Sequence, residues 1–199
     1  MKKKFLIFVF FIFTLSIENS ADAYSNDPKL FIAEIVEEAK KILVASNSKE
    51  VREKELSKMA LKVADIEGIG FYTLGSYRKE LSEKDLKKYL ELFEKYFLKS
   101  FTSRLSDYSD PKIEVLSADV INPKYTIVKS ILLATDKKPE VKIDWRVYTK
   151  NPEKPLIRDL IVEGLSLART QKEEFASVIQ SNDGDVKKLF ETLENFINK

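Results

Sequence analysis

Residues 141–148, with the sequence VKIDWRVY, alternate between apolar and polar side chains along most of their length. An extended strand points successive side chains to opposite faces, so this period of two predicts a β-strand with one buried face. The apolar face would carry Val141, Ile143, Trp145 and Val147, and the polar face would carry Lys142, Asp144, Arg146 and Tyr148. Such two-sided patterning is typical of an antiparallel sheet that helices cover on one side only.

Similar short, β-branched segments lie on both sides of this strand. The predicted strands cover residues 112–121, 125–134, 140–149 and 156–163. Turn-forming residues separate them, at Asn122-Pro123, at Asp136 to Pro139 and at Asn151 to Pro155. Connections this short join neighbouring antiparallel strands, so the sequence predicts a four-stranded antiparallel meander.

Helical patterns precede and follow the four strands. Asp27 before Pro28 is typical of a helix start, a second helix is predicted from about Ser48, and Ser82 opens a capping box. Two closing helices are predicted near 167–180 and 186–198. The order of helices, strands and helices predicts an α+β domain with an antiparallel sheet.

The segment from Asp65 to Gly75 contains three of the five glycines of the chain. Gly68 and Gly70 form a GxG pattern, but no third glycine follows at the spacing that dinucleotide binding requires. We therefore expect flexible backbone and close packing of elements here.

The helix that Ser82 opens has the strongest apolar stripe of the sequence. Its principal members are Leu86, Leu90, Phe93, Phe97, Phe101 and Leu105. This face is broader and more aromatic than one short neighbour would need. Ordinary core packing and contact with an apolar ligand both remain open for these residues.

The composition excludes several classes of protein. The chain has no histidine and no cysteine, so it cannot hold a Ser-His-Asp triad, a thiolate nucleophile, a disulfide or a zinc site with nitrogen and sulfur ligands. Its 34 basic and 32 acidic residues lack the basic excess of a protein that binds nucleic-acid backbones. We expect no metal, no cofactor and no nucleic-acid partner.

The N-terminus has the pattern of a secretory signal peptide. Three lysines at 2–4 precede an apolar run over 5–17, which is too short to span a bilayer. Ala21-Asp22-Ala23 then supplies small residues for cleavage. We expect residues 1–23 to be removed after Ala23, which leaves 24–199 as one exported domain large enough to be stable without disulfides.

Several segments, in order along the mature chain, together resemble the MlaC family. They are Leu74-Gly75 with Tyr77-Arg78, the helix from Phe93 to Phe97, the strand 141–146, the segment 159–167 (DLIVEGLSL), and Thr170-Gln171 followed by Phe175. The turn at 163–166 with the following glutamine and phenylalanine is the most specific of these. The resemblance covers essentially the whole mature chain.

The resemblance implies a monomeric periplasmic phospholipid carrier, not an enzyme. Its four-stranded curved antiparallel sheet would be wrapped by N- and C-terminal helices in an NTF2-like cone with an apolar cavity. It further implies exchange of lipid with an outer-membrane complex of MlaA and a porin, and with an inner-membrane ABC transporter that contains MlaD. Such a carrier would maintain the lipid asymmetry of the outer membrane.

Physical chemistry agrees with this implication. Exposing one methylene to water costs about 0.8 kcal/mol, so exposing a 16-carbon chain costs on the order of 12 kcal/mol. A carrier must therefore enclose the tails. Because a bilayer solvates them equally well, transfer between bilayer and cavity can be close to thermoneutral, and the headgroup can remain in water at the cavity mouth.

The apolar face of the third strand, its neighbours and parts of two helices are the predicted wall of this cavity, with core packing as the competing interpretation. The predicted lipid-binding residues are Ile66, Ile69, Phe93, Phe97, Ile131, Leu133, Val141, Ile143, Trp145, Val147, Leu160 and Val162.

Other functions remain compatible with the same pattern. An NTF2-like arrangement also hosts enzymes, for which Asp159 and Tyr148 are the available acid or base candidates. We expect Asp159 instead to tie the turn at Glu163-Gly164 to its surroundings. A carrier or binding protein for another small apolar ligand, such as a hopanoid or sterol-like lipid, and an export adaptor or chaperone are the further alternatives.

Overall fold

Helices flank a central sheet in the computed structural model, which describes residues 24–45, 48–108, 110–136 and 139–199. The predicted signal peptide lies outside these residues. The described helices are α1 (Pro28–Ala45), α2 (Lys49–Val63), α3 (Ile66–Leu74), α4 (Glu83–Leu105), α5 (Leu167–Gln180) and α6 (Val186–Ile197), with a 3-10 helix over Gly75–Lys79. The strands are β1 (Ile113–Asn122), β2 (Tyr125–Leu132), β3 (Val141–Tyr148), β4 (Leu156–Val162) and β5 (Leu165–Ser166).

The sheet is an antiparallel meander in which the strands lie side by side in chain order. This confirms the α+β class and the four predicted strands, whose ends differ from the prediction by one or two residues. The two-residue strand β5 was not predicted, because two residues cannot show a period of two. Arg146 faces Asp159 and Val147 faces Ile157, so Arg158 is an extra residue that interrupts the β3–β4 register.

The predicted helix starts are confirmed by their caps. The Ser48 and Ser82 hydroxyls accept hydrogen bonds from the backbone N–H groups of Val51 and Asp85. Asp27 accepts from the N–H of Leu30. These side chains satisfy donors that the first turn of a helix leaves without intrahelical partners.

The expectation of flexible backbone from Asp65 to Gly75 was wrong, because most of this segment forms α3. The expected close packing is confirmed. A Cβ atom built on Gly70 would come within 2.9 Å of Cδ1 of Phe93. Glycine at this position therefore lets α3 and α4 approach closely.

Apolar side chains form two separate clusters. The helical cluster, from α3, α4, α5 and α6, includes Tyr89 and Phe175 at its centre. The sheet cluster packs α1 and α2 against one end of the inner sheet face, where Phe31 and Leu56 meet Val128. The domain thus has two packed regions on either side of the space between α4 and the sheet.

The Asp159 carboxylate joins β4 to the start of α5. It accepts hydrogen bonds from the Ser166 hydroxyl at 2.6 Å and from the backbone N–H of Ala168 at 2.9 Å. The Arg146 guanidinium lies 3.3 Å from this carboxylate, and the side chain of Asp159 is only 1% exposed. Asp159 therefore has a structural role, as expected, but its hydrogen-bond partners Ser166 and Ala168 follow the Glu163-Gly164 turn and are not part of it.

We expect Asp159→Ala to lower the free energy of unfolding by about 3 kcal/mol, because it leaves buried donors without an acceptor. Urea denaturation monitored by circular dichroism measures the change. Glu173→Ala, at an exposed position of α5, is the matched control and should change stability little. Equal stability of the two variants would contradict the structural role of Asp159.

Candidate functional site

A cavity of about 410 Å³ separates the helical cluster from the sheet cluster. Residues of the helices α1 to α5 and of the inner faces of β3 and β4 line it. This volume lies within the range of about 300–1,000 Å³ that is usual for sites of small organic ligands. The site is therefore large enough for an organic molecule and lies where most domains have a filled core.

The inner sheet face changes from closely packed to open along the strands. Val128 and Val147, at one end, are fully buried in the sheet cluster. Ile143, Trp145 and Leu160 lie on the same face toward the other end, line the cavity and are only half-buried. The exposure of these large apolar side chains comes from an unfilled space on the covered side of the sheet.

The aromatic stripe of α4 shows the same transition. Tyr89 and Phe93 are buried in the helical cluster. One and two turns further along the helix, Phe97 and Phe101 stack with their ring centroids 5.8 Å apart, remain half-buried and line the cavity. The broad aromatic face noted in the sequence thus serves both purposes, with its first half in the core and its second half on the cavity wall.

Polar atoms on or beside the wall have partners within the protein. The Trp145 indole N–H donates to the Ser130 hydroxyl at 2.8 Å, and that hydroxyl donates to the carbonyl of Ile143. The Tyr96 hydroxyl donates to Oε1 of Gln171 at 2.7 Å. Across the described residues, every buried side-chain nitrogen and oxygen has a hydrogen-bond partner. The interior surface therefore presents mainly hydrocarbon to a ligand.

Three residues that line the cavity are exposed to solvent. Arg104 and Tyr108 lie near the C-terminal end of α4, and Leu167 lies at the start of α5. Arg158 also lines the cavity, but Asp65 holds its guanidinium, with Nε and Oδ2 2.6 Å apart. A ligand with an apolar body and a polar end can thus place its polar end at the Arg104 side.

Seven of the twelve predicted wall residues lie together on this cavity. They are Ile69, Phe93, Phe97, Ile143, Trp145, Leu160 and Val162.

The other five predicted residues lie elsewhere. Ile66 and Val147 are packed into the helical and sheet clusters, which are filled. Ile131 pairs with Lys142 and Glu114 on the outer sheet face. Val141 lies at the start of β3 without lining the cavity, and Leu133 lines a smaller neighbouring pocket. Position 131 was assigned to the wrong face because Ser130, not Ile131, is opposite Ile143.

Sequence reasoning missed the contribution of the first two helices. Ile35, Ala39 and Leu43 from α1 and Met59 and Val63 from α2 all line the cavity. Their spacing of three or four residues places them on one face of each helix. Nothing in that spacing indicates which neighbour an apolar face meets, so these residues could be assigned only to a buried face.

The structure places Asp159, but not Tyr148, on the cavity. Tyr148 lies on the outer sheet face, where the Arg158 guanidinium is 3.6 Å from its ring centroid. Asp159 touches the cavity, but its two carboxylate oxygens accept the hydrogen bonds that start α5. Both carboxylate oxygens of Asp159 therefore already have partners within the protein.

Comparison with known proteins agrees with this description. The sequence model of the MlaC protein family matches residues 33–195. The chain belongs to the MlaC family. This match confirms the resemblance drawn from the segments between Leu74 and Phe175. A search of curated proteins finds no significant match.

A similar solved structure is that of the phospholipid-binding protein from Ralstonia solanacearum in complex with a phospholipid. It superposes with a TM-score of 0.71 at 17% sequence identity, over 84% of this chain and 94% of that chain. At this identity the likeness shows the shared fold. Within the described residues, no helix is long and apolar enough to cross a membrane.

The Tyr96 phenol on the cavity wall provides a test of burial. Burial raises its pKa, and the nearby Glu174 carboxylate adds to the rise. Above about pH 10 the unfolded chain therefore releases this proton before the folded one does, and the free energy of unfolding falls as pH rises. In Tyr96→Phe this contribution is absent, so we expect a shallower fall in urea denaturation between about pH 8 and about pH 11. Identical falls for wild type and variant would contradict the burial of this phenol.

Proposed function

We propose that this protein is a periplasmic phospholipid carrier that encloses acyl chains in the cavity between α4 and the sheet. The observation that carries the proposal is the unfilled apolar space, lined by half-buried Phe97, Phe101 and Trp145, between two packed clusters. Family membership and the fold shared with a phospholipid-binding protein support the same function.

The free-energy balance favours an apolar ligand. Each Å² of apolar surface removed from water stabilises by about 25 cal/mol, so covering the half-exposed aromatic and aliphatic wall is favourable for both ligand and protein. The wall has few polar atoms available to a ligand, so binding would depend on burial of apolar surface and not on hydrogen bonds. A bilayer offers the tails an equivalent environment, so loading and release can both occur without an external energy source at the carrier itself.

We further propose that the protein carries lipid between two membranes. The signal-peptide pattern over 1–23 supports export to the periplasm, and 24–199 would then be the single mature domain. The carrier would exchange lipid with an outer-membrane complex of MlaA and a porin and with an inner-membrane ABC transporter containing MlaD, as a monomer. The outcome would be maintenance of outer-membrane lipid asymmetry, with no enzymatic step.

Solvent extraction of the purified mature protein followed by mass spectrometry tests the proposal. We expect glycerophospholipid at about one molecule per chain, given one cavity of this size. A hopanoid or sterol-like lipid in its place would support the alternative of another apolar ligand. Protein without any lipid, including after incubation with phospholipid vesicles, would contradict the carrier function.

Ile143→Glu should reduce the co-purified phospholipid about tenfold or more, because it places a carboxylate against the acyl chain without a partner. Ile127→Glu is the matched control, since it introduces the same charge on the neighbouring strand but on the outer face. Lipid content is compared at equal amounts of folded protein, judged by circular dichroism. Full lipid content in folded Ile143→Glu would contradict the assignment of this wall.

Trp145 provides a direct reporter, because it is the one tryptophan of the chain and lines the cavity. Bromine atoms quench indole fluorescence on contact. We therefore expect protein loaded with phospholipid brominated on its acyl chain to fluoresce much less than protein loaded with the same lipid without bromine. Equal emission from the two samples would show that the acyl chain is bound elsewhere.

A further inference from the structure

Charged side chains are rare on the wall of the cavity, and the protein itself neutralises two of them. Among the described residues that line the cavity, the charged ones are Arg104, Arg158 and Asp159. Two guanidinium nitrogens of Arg158 lie 2.6 and 2.5 Å from Oδ2 of Asp65. The Asp159 carboxylate lies 3.3 Å from the Arg146 guanidinium. Arg104 is the charge that is left over.

Arg104 has no counter-ion of its own. Within the part of the chain that the structure describes, none of the ion pairs includes this residue. The carboxylate of Glu174, on the neighbouring helix α5, instead accepts a hydrogen bond from the Gln171 amide at 2.9 Å. Arg104 is exposed, so water can solvate its charge without a ligand. The cavity wall therefore carries one uncompensated positive charge.

The helical repeat places Arg104 on the cavity side of α4. Phe97, Ser100, Phe101 and Arg104 follow one another at spacings of one to four residues that keep them on one face, and all four line the cavity. The Tyr96 phenol gives a second indication. Its pKa is raised mainly by burial, and the charge of Arg104 opposes the rise. A cation acts in this way at short range, so the guanidinium lies near the cavity wall.

The helix dipole alone does not account for this placement. Arg104 lies in the last turn of α4, where the negative end of the dipole stabilises a cation. That stabilisation is available on every face of the turn, whereas Arg104 lies on the face that lines the cavity. The dipole thus explains a cation in this turn, and an anionic ligand group explains its position on the cavity side.

We propose that Arg104 binds the phosphate of the lipid headgroup, while the acyl chains lie along the rings of Phe101 and Phe97. The inference rests on the proposed carrier function and adds to it a requirement for an anion at the polar end of the ligand. A guanidinium binds two phosphate oxygens through parallel hydrogen bonds. A neutral lipid with the same tails, such as diacylglycerol, would leave the charge without a partner. The cavity would therefore select phospholipids over neutral lipids.

Competition between two lipids from the same vesicle tests this assignment. The delipidated mature protein is incubated with phosphatidylglycerol vesicles that contain a minor share of diacylglycerol with identical acyl chains. The protein is then isolated and extracted for mass spectrometry, and the loading of each lipid is divided by its share in the vesicle. At low ionic strength we expect Arg104→Gln to lower the ratio of phospholipid to diacylglycerol about fivefold relative to wild type, the scale of one exposed charge pair.

Two further variants and a change of salt separate the charge of Arg104 from other effects. Arg169→Gln removes the same charge from an exposed position of α5 that does not line the cavity, so the ratio should stay that of the wild type. Arg104→Lys keeps the charge and should retain most of the wild-type ratio. Added salt screens exposed charges, so it should lower the ratio for the wild type and change it little for Arg104→Gln.

The outcomes distinguish this inference from the carrier function. Wild type that takes up neither lipid contradicts the carrier function itself. Normal uptake of phospholipid, with a ratio that Arg104→Gln does not lower, contradicts only the assignment of Arg104. An equal fall in Arg104→Gln and Arg169→Gln overturns that assignment as well. A fall confined to Arg104→Gln, restored by lysine and removed by salt, supports it.

Discussion

The structure depends on one constraint, which is that a space separates the apolar face of α4 from the inner face of β3. Tyr89 of α4 is fully buried in the helical cluster, and Val147 of β3 is fully buried in the sheet cluster. Between the two clusters, Phe97 and Trp145 remain half-buried around about 410 Å³ of space. Apolar surface facing such a space is stabilised when an apolar ligand covers it.

The rest of the domain can hold this gap open because its two packed clusters do not depend on it. The helical cluster is tied to β4 through Asp159, and the Arg158–Asp65 ion pair ties the start of α3 to the same strand. Gly70 lets α3 and α4 pack at close range on the far side of the cavity. These contacts position the walls from outside, so the cavity needs no side chain across its centre.

Elements were predictable where local chemistry decides them. Caps at Ser48 and Ser82 and the alternation of 141–148 located helices and the third strand to within a few residues. Prediction failed where local signals compete or are short. Glycines at 68 and 70 weakened the helical signal of α3, although packing against Phe93 favours helix there, and β5 is too short to show a period.

By itself, the sequence determined which side of the third strand faces inward, although it placed Ile131 of β2 on the wrong face. Family membership follows from its motifs. Only the tertiary structure decided which inward residues pack and which line a cavity, since Val147 and Ile143 share one face of β3 yet differ in this respect. The physical reason is that hydrophobic periodicity reports the direction of burial. It carries no information on the distance to the opposing face, and that distance separates a filled core from a binding site.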